Sequence, residues 1–112
     1  RWRWRWRSRC RAQGLAETVI FANQQGIKTE DLLTLIGQAA LGNIFTKIKG
    51  DAILNDQYKA AFALKHIVKD LTLAKNEGLS SPLATTALET FKQAEPSYGE
   101  EDIIAVIKQL NS

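Results

Sequence analysis

The chain has 112 residues, a formal net charge of +3 and a 45% apolar share, which suits a single globular domain able to fold alone; no apolar run is long enough to span a bilayer. One cysteine, Cys10, and one histidine, His66, exclude an intramolecular disulfide and a zinc cluster, so no metal site is expected. With no secretory signal pattern, the default expectation is a cytoplasmic protein.

Charge counted by segment changes the basic impression left by the total. Residues 1 to 11, RWRWRWRSRCR, hold all six arginines and all three tryptophans and no acid. Beyond them, nine lysines face twelve acids, which leaves residues 12 to 112 at −3. An arginine-only leader on a lysine-only body marks a boundary near Arg11/Ala12, and basic nucleic-acid binding is not a property of the body. As a strand the leader would carry one aromatic and one cationic face; as a helix it would align only Trp2 and Trp6. It is suited to an anionic membrane or to stacking on nucleic-acid bases. The alternative, which the compositional break favours, is a non-native attachment to an enzyme domain. Cys10 is expected to be exposed there, and its arginine neighbours could lower its thiol pKa.

In the body, apolar residues recur at three- and four-residue intervals, which predicts helices almost throughout. AQGLAETVIFANQQG places Leu15, Val19 and Ala22 on one stripe, and Gly26 supplies a left-handed stop. Thr29, followed by Glu30 and Asp31, is expected to cap a second helix through DLLTLIGQAA. Asn43 is expected to cap a short third, NIFTKIK, ended by Gly50. The longest pattern, AAFALKHIVKDLTLAKNEG, ends at Gly78. Ser81 and Pro82 then open PLATTALETFKQAE, with Ala84, Ala87, Leu88 and Phe91 on one stripe. After Gly99, EEDIIAVIKQL repeats Ile103, Val106, Ile107 and Leu110 behind three acids. The expected fold is a single all-α bundle of about six helices.

Placed at about 100° per residue, the fourth helix separates into two faces. Ala60, Leu64, Ile67, Val68, Leu71 and Ala74 form a core band, whereas Phe62, His66, Lys69 and Asp70 gather opposite it. In one explanation Phe62 packs under the preceding loop near Tyr58, and His66 and Asp70 form a weak i,i+4 surface pair. In the other the face is a site wall: Phe62 an apolar surface, Lys69 an anion contact suited to phosphate, Asp70 a hydrogen-bond acceptor.

The stretch FALKHIVKDLTLA resembles the β-hydroxyacid dehydrogenase (3-hydroxyisobutyrate dehydrogenase-like) family, especially its glyoxylate and succinic semialdehyde reductase branch. The similarity continues through LAETVIFANQQGI, LGNIFTKIKGDAIL, SPLATTALETFKQA and EEDIIAVIKQL, so it covers residues 15 to 110. The resemblance implies the all-helical C-terminal domain of 6-phosphogluconate dehydrogenase-like enzymes, which pair it with a dinucleotide-binding domain. They interconvert small aldehyde acids and hydroxyacids with NAD or NADP. It implies Lys69 as a cofactor contact and Phe62 and Asp70 as substrate-pocket residues, and it gives His66 no role.

The departures from the family pattern also shape the expectation. The sequence contains no G-x-G-x-x-G turn, and the family's proton-donating lysine, with an asparagine four residues later, is absent from the positions that RWRWRWRSRCRA occupies. Hydride transfer needs a positioned nicotinamide and an acid for the alkoxide. No catalytic residue is therefore expected within these residues, no cofactor on this chain alone, and no turnover without the dinucleotide-binding domain as partner. Self-association as a helical module is the remaining non-enzymatic alternative.

Overall fold

The computed structural model describes the backbone of residues 2 to 40 and 42 to 111, and side chains from Cys10 onward. Six α-helices follow in chain order: α1 (Trp2–Gln24), α2 (Thr29–Gln38), α3 (Ile44–Leu54), α4 (Leu64–Asn76), α5 (Pro82–Tyr98) and α6 (Val106–Leu110). A 3-10 turn, Ile103–Ala105, leads into α6. No strand forms among the described residues; the extended contact is a single antiparallel bridge between Ala63 and Asp102.

The antiparallel pair α4 and α5 carries the centre of the core. Leu64, Ile67, Val68 and Leu71 meet Ala87, Leu88, Phe91 and Ala94, and α1 closes one side with Leu15, Ala16 and Val19. Ile103, Ile104, Val106 and Ile107 seal the end of that arrangement. The expected stripes on α1, α5 and α6 are thus the buried ones, apart from Leu110, which is half-buried. On α4 the expected band is buried from Leu64 to Ala74, but Ala60 is exposed because the helix begins four residues after it.

Helix boundaries depart from expectation where local signals meet tertiary packing. Thr29 is the first residue of α2 rather than its cap, and its hydroxyl donates to Asn23 Oδ1 at 3.3 Å. Asn43 does cap α3, accepting from the Thr46 amide at 2.9 Å. Gly50 does not end α3, which runs on to Leu54. An added Cβ at Gly50 would sit 2.5 Å from Leu33 Cδ2, so the glycine lets α3 approach α2 closely instead of stopping the helix. Gly26 and Gly78 do take left-handed backbone angles, φ 84° and 106°, after α1 and α4.

The leader is helical, not a strand: α1 passes without interruption through Arg11 and Ala12. Cys10 and Ala12, one on each side of that compositional boundary, are both buried in the same core. The exposure expected of Cys10 is therefore corrected, and burial pushes its thiol pKa up, against the lowering that its arginine neighbours could give. The leader's arginine and tryptophan side chains up to Arg9 lie outside the described residues, and with them any membrane or nucleic-acid contact they would make.

Candidate functional site at the start of helix α4

Phe62 lies two residues before α4, so the helical projection that placed it on the same wheel as Lys69 does not apply to it. The structure nevertheless brings it to that face. Its ring meets His66 edge-on, with centroids 5.8 Å apart and planes at 75°. His66 and Lys69 are exposed on α4 and Asp70 is half-buried beside them. Lys69 takes part in none of the ion pairs among the described residues, which join Lys49 to Asp102, Lys65 to Glu100 and Lys108 to Glu101.

The backbone leading into α4 is held by the segment before the 3-10 turn. Ala63 occupies the N-cap position and has no side chain to offer, so the Leu64 amide donates to Glu101 O at 2.8 Å and the Lys65 amide to Gly99 O at 2.9 Å. The Phe62 carbonyl accepts from the Ile103 amide at 2.9 Å. Asp102 completes the junction: its Oδ1 accepts from the amides of Ala61 and Phe62 at 3.0 and 3.1 Å, and its Oδ2 from the Ile104 amide at 3.1 Å.

Lys49 Nζ reaches the same carboxylate from α3, at 3.0 and 2.9 Å from its two oxygens, and both residues are buried. Burial alone would raise the Asp102 pKa; the bond from Lys49 and the amides of Ile104 and Phe62 outweigh it and hold the carboxyl below its ordinary value. Nearby, Lys108 lies 4.3 Å over the Tyr58 ring and 2.6 Å from Glu101, whose hydrogen bond raises the lysine's pKa. Tyr58 is pushed up by burial and by the Asp56 charge, against the pull of Lys108.

Sequence periodicity does not reveal Lys49, which falls on a helix with little amphipathic signal and finds its partner 53 positions away. Asp102 is legible as an acid at a helix start, but not as an ion-pair partner.

An open groove of about 580 Å³ between α2 and α3, lined in part by Leu33, Ile36, Ile44 and Leu54, includes none of Phe62, Lys69 or Asp70. Volume therefore does not mark the α4 face, and the case for it rests on residue chemistry. The exposed Lys69 ammonium fits one edge contact to an anionic dinucleotide. It does not form a phosphate cradle, which would need converging backbone amides such as a glycine-rich turn supplies.

Comparison with known proteins places the chain in a family. Residues 10 to 110 match the protein family described as NAD-binding of NADP-dependent 3-hydroxyisobutyrate dehydrogenase. Among curated proteins, the chain is 37% identical over 98 residues to the cytokine-like nuclear factor N-PAC of Aedes aegypti, covering 83% of this chain and 18% of that one. It is 35% identical over 98 residues to glyoxylate/succinic semialdehyde reductase 1 of Arabidopsis thaliana, covering 83% of this chain and 34% of the reductase. Among solved structures, the 3-hydroxyisobutyrate dehydrogenase of Salmonella typhimurium superposes with a TM-score of 0.83 at 27% identity, covering 92% of this chain and 38% of that one. The chain thus spans about a third or less of the curated relatives' length. With an all-helical fold matched at that level and a family match across nearly its whole length, the chain belongs to the 3-hydroxyisobutyrate dehydrogenase-like family.

Proposed function

We propose that this chain is the helical, substrate- and cofactor-facing part of an NAD(P)-dependent β-hydroxyacid dehydrogenase of the glyoxylate/succinic semialdehyde reductase kind. The observation that carries the reading is the face at the start of α4, where an aromatic fixed against His66 precedes an exposed lysine and a neighbouring carboxylate. A bound nicotinamide dinucleotide supplies or accepts the hydride. Lys69 contacts an anionic part of that cofactor, Phe62 gives the substrate an apolar wall that excludes water, and Asp70 accepts a hydrogen bond from a substrate hydroxyl.

Turnover in this reading requires a dinucleotide-binding domain and a proton-donating lysine. The test is to join residues 12 to 112 behind the nucleotide domain and linker helix of the Arabidopsis reductase and follow NADPH oxidation with glyoxylate and with succinic semialdehyde. The fusion is expected to turn over and the 112-residue chain alone is not. Lys69→Ala should raise the KM for cofactor, and Phe62→Ala or Asp70→Ala the KM for the aldehyde acid, each by about tenfold, the scale of one lost charge-assisted bond or apolar contact. Full activity in all three variants would reject the site assignment.

A second reading, a helical self-association module, draws support from a different surface. Leu35, Ile44, Ile48 and Leu54 on α2 and α3 are all exposed. Sedimentation of the 112-residue chain over a wide concentration range tests it, and a monomer throughout would end it.

A further inference from the structure

We propose that the buried Lys49–Asp102 ion pair is a positioning latch, which fixes the backbone of Ala61 and Phe62 and thereby sets the Phe62 ring against His66 at the α4 face. The hydrogen bonds of the pair define the role. Beyond the bonds from Lys49, every one the Asp102 carboxylate accepts comes from a main-chain amide, two from the residues just before α4 and one from the 3-10 turn. The Phe62 peptide is thus held on both sides, its amide by Asp102 and its carbonyl by the Ile103 amide.

Elsewhere in this loop the Tyr58 carbonyl accepts from the Asp102 main-chain amide at 2.9 Å, and Tyr58 and Phe62 pack against the core. Residues 59 to 61 are exposed, and Ala63 brings no capping side chain. Lys49 is the only buried charged residue on α3, whose other buried residue is Gly50. The long reach of its ammonium therefore connects an outlying helix to the junction instead of adding to the apolar core. A buried ion pair is a poor means of raising stability compared with apolar packing of the same volume, but its directional bonds select one backbone arrangement. Lys49 and Asp102 act through Phe62 and are positioning residues; their effect on substrate binding rests on the function proposed above.

The test reads Phe62 placement directly, in the 112-residue chain and without substrate. The carbon-bound ring protons of His66 sense the ring current of Phe62, and Phe62→Ala gives the chemical shift in its absence. Lys49→Met is expected to move the His66 signals most of the way to that value, Lys49→Arg to keep them near the parent position, and Leu88→Ala, which loosens the core on α5, to leave them in place. Parent shifts in a folded Lys49→Met variant, or no response to Phe62→Ala, would overturn the latch. Should Lys49→Met fail to fold, hydrogen exchange of the Phe62 amide in the unmodified chain decides: slow exchange, comparable with Leu64, supports the latch, and free exchange overturns it.

In the fusion enzyme, Lys49→Met should raise the aldehyde-acid KM by about tenfold with the cofactor KM unchanged, and add nothing further in a Phe62→Ala background. A purely structural role would instead give additive effects and shift both constants. If Phe62→Ala itself leaves the KM unchanged, the functional reading fails while the His66 signals still judge the latch.

Discussion

At Asp102, burial and bonding act in opposite directions on one carboxyl, and bonding wins. Its folded pKa lies below the unfolded value of about 3.9, so between the two the unfolded chain binds more protons and stability rises with pH. The stabilising contribution is complete above the unfolded value and is lost as pH falls through the folded one. Urea midpoints followed downward from about pH 6 should therefore drop steeply at the acid end, and Asp102→Ala should flatten that part of the profile. The same variant should cost about 3–5 kcal/mol at neutral pH, because it strands the Lys49 ammonium in a buried site. An unchanged acid slope would mean that Asp102 does not carry the linkage. By contrast, Lys65–Glu100 is exposed on both sides, and breaking it should matter little.

Between helices, what a glycine does depends on what stands opposite it. Gly14 on α1 has open space where a Cβ would sit, so Gly14→Ala should stabilise by about 0.5–1 kcal/mol through helix propensity. At Gly50 an added Cβ would sit 2.5 Å from the end of the Leu33 side chain, so Gly50→Val should destabilise by about 1 kcal/mol by displacing that side chain from the α2–α3 contact. Thermal or urea unfolding of the two variants checks the contrast, and equal effects would remove the close approach as the explanation. These positions also show why boundaries were harder to read than helices. At Gly50 the residue is compatible with both a stop and a close contact, and the choice is made by Leu33, seventeen positions earlier in the chain. The start of α4 has the same character: the sequence pattern runs through Phe62 without a break, but residues 99 to 103 supply the hydrogen-bond partners that begin the helix at Leu64.

For the molecule as a whole, α4, α5 and α1 share the core with the 3-10 turn and α6, whereas α2 has no buried residue and lies against α3 and α1, with Leu32 and Ile36 half-buried against the core. The exposed positions of α2 and α3 should therefore tolerate polar substitution. Leu35→Glu and Ile48→Glu are expected to leave stability within about 0.5 kcal/mol, since both side chains are already exposed, while weakening any self-association seen by sedimentation. A large loss of stability instead would place these residues in a contact the isolated chain needs.

The sequence by itself determined the helical class and the apolar stripes of α1, α4, α5 and α6, because a 3.6-residue period is a local property; Phe62, Lys69 and Asp70 are proposed from a short motif and its family resemblance. It also marked the compositional break at Arg11/Ala12, yet could not show that one helix crosses it or that Cys10 is buried. Only the tertiary structure decided how Phe62 reaches the α4 face. That placement depends on Lys49 from α3 and Asp102 from the last turn meeting at one buried point, and a pairing across 53 residues leaves no period in the chain from which to read it.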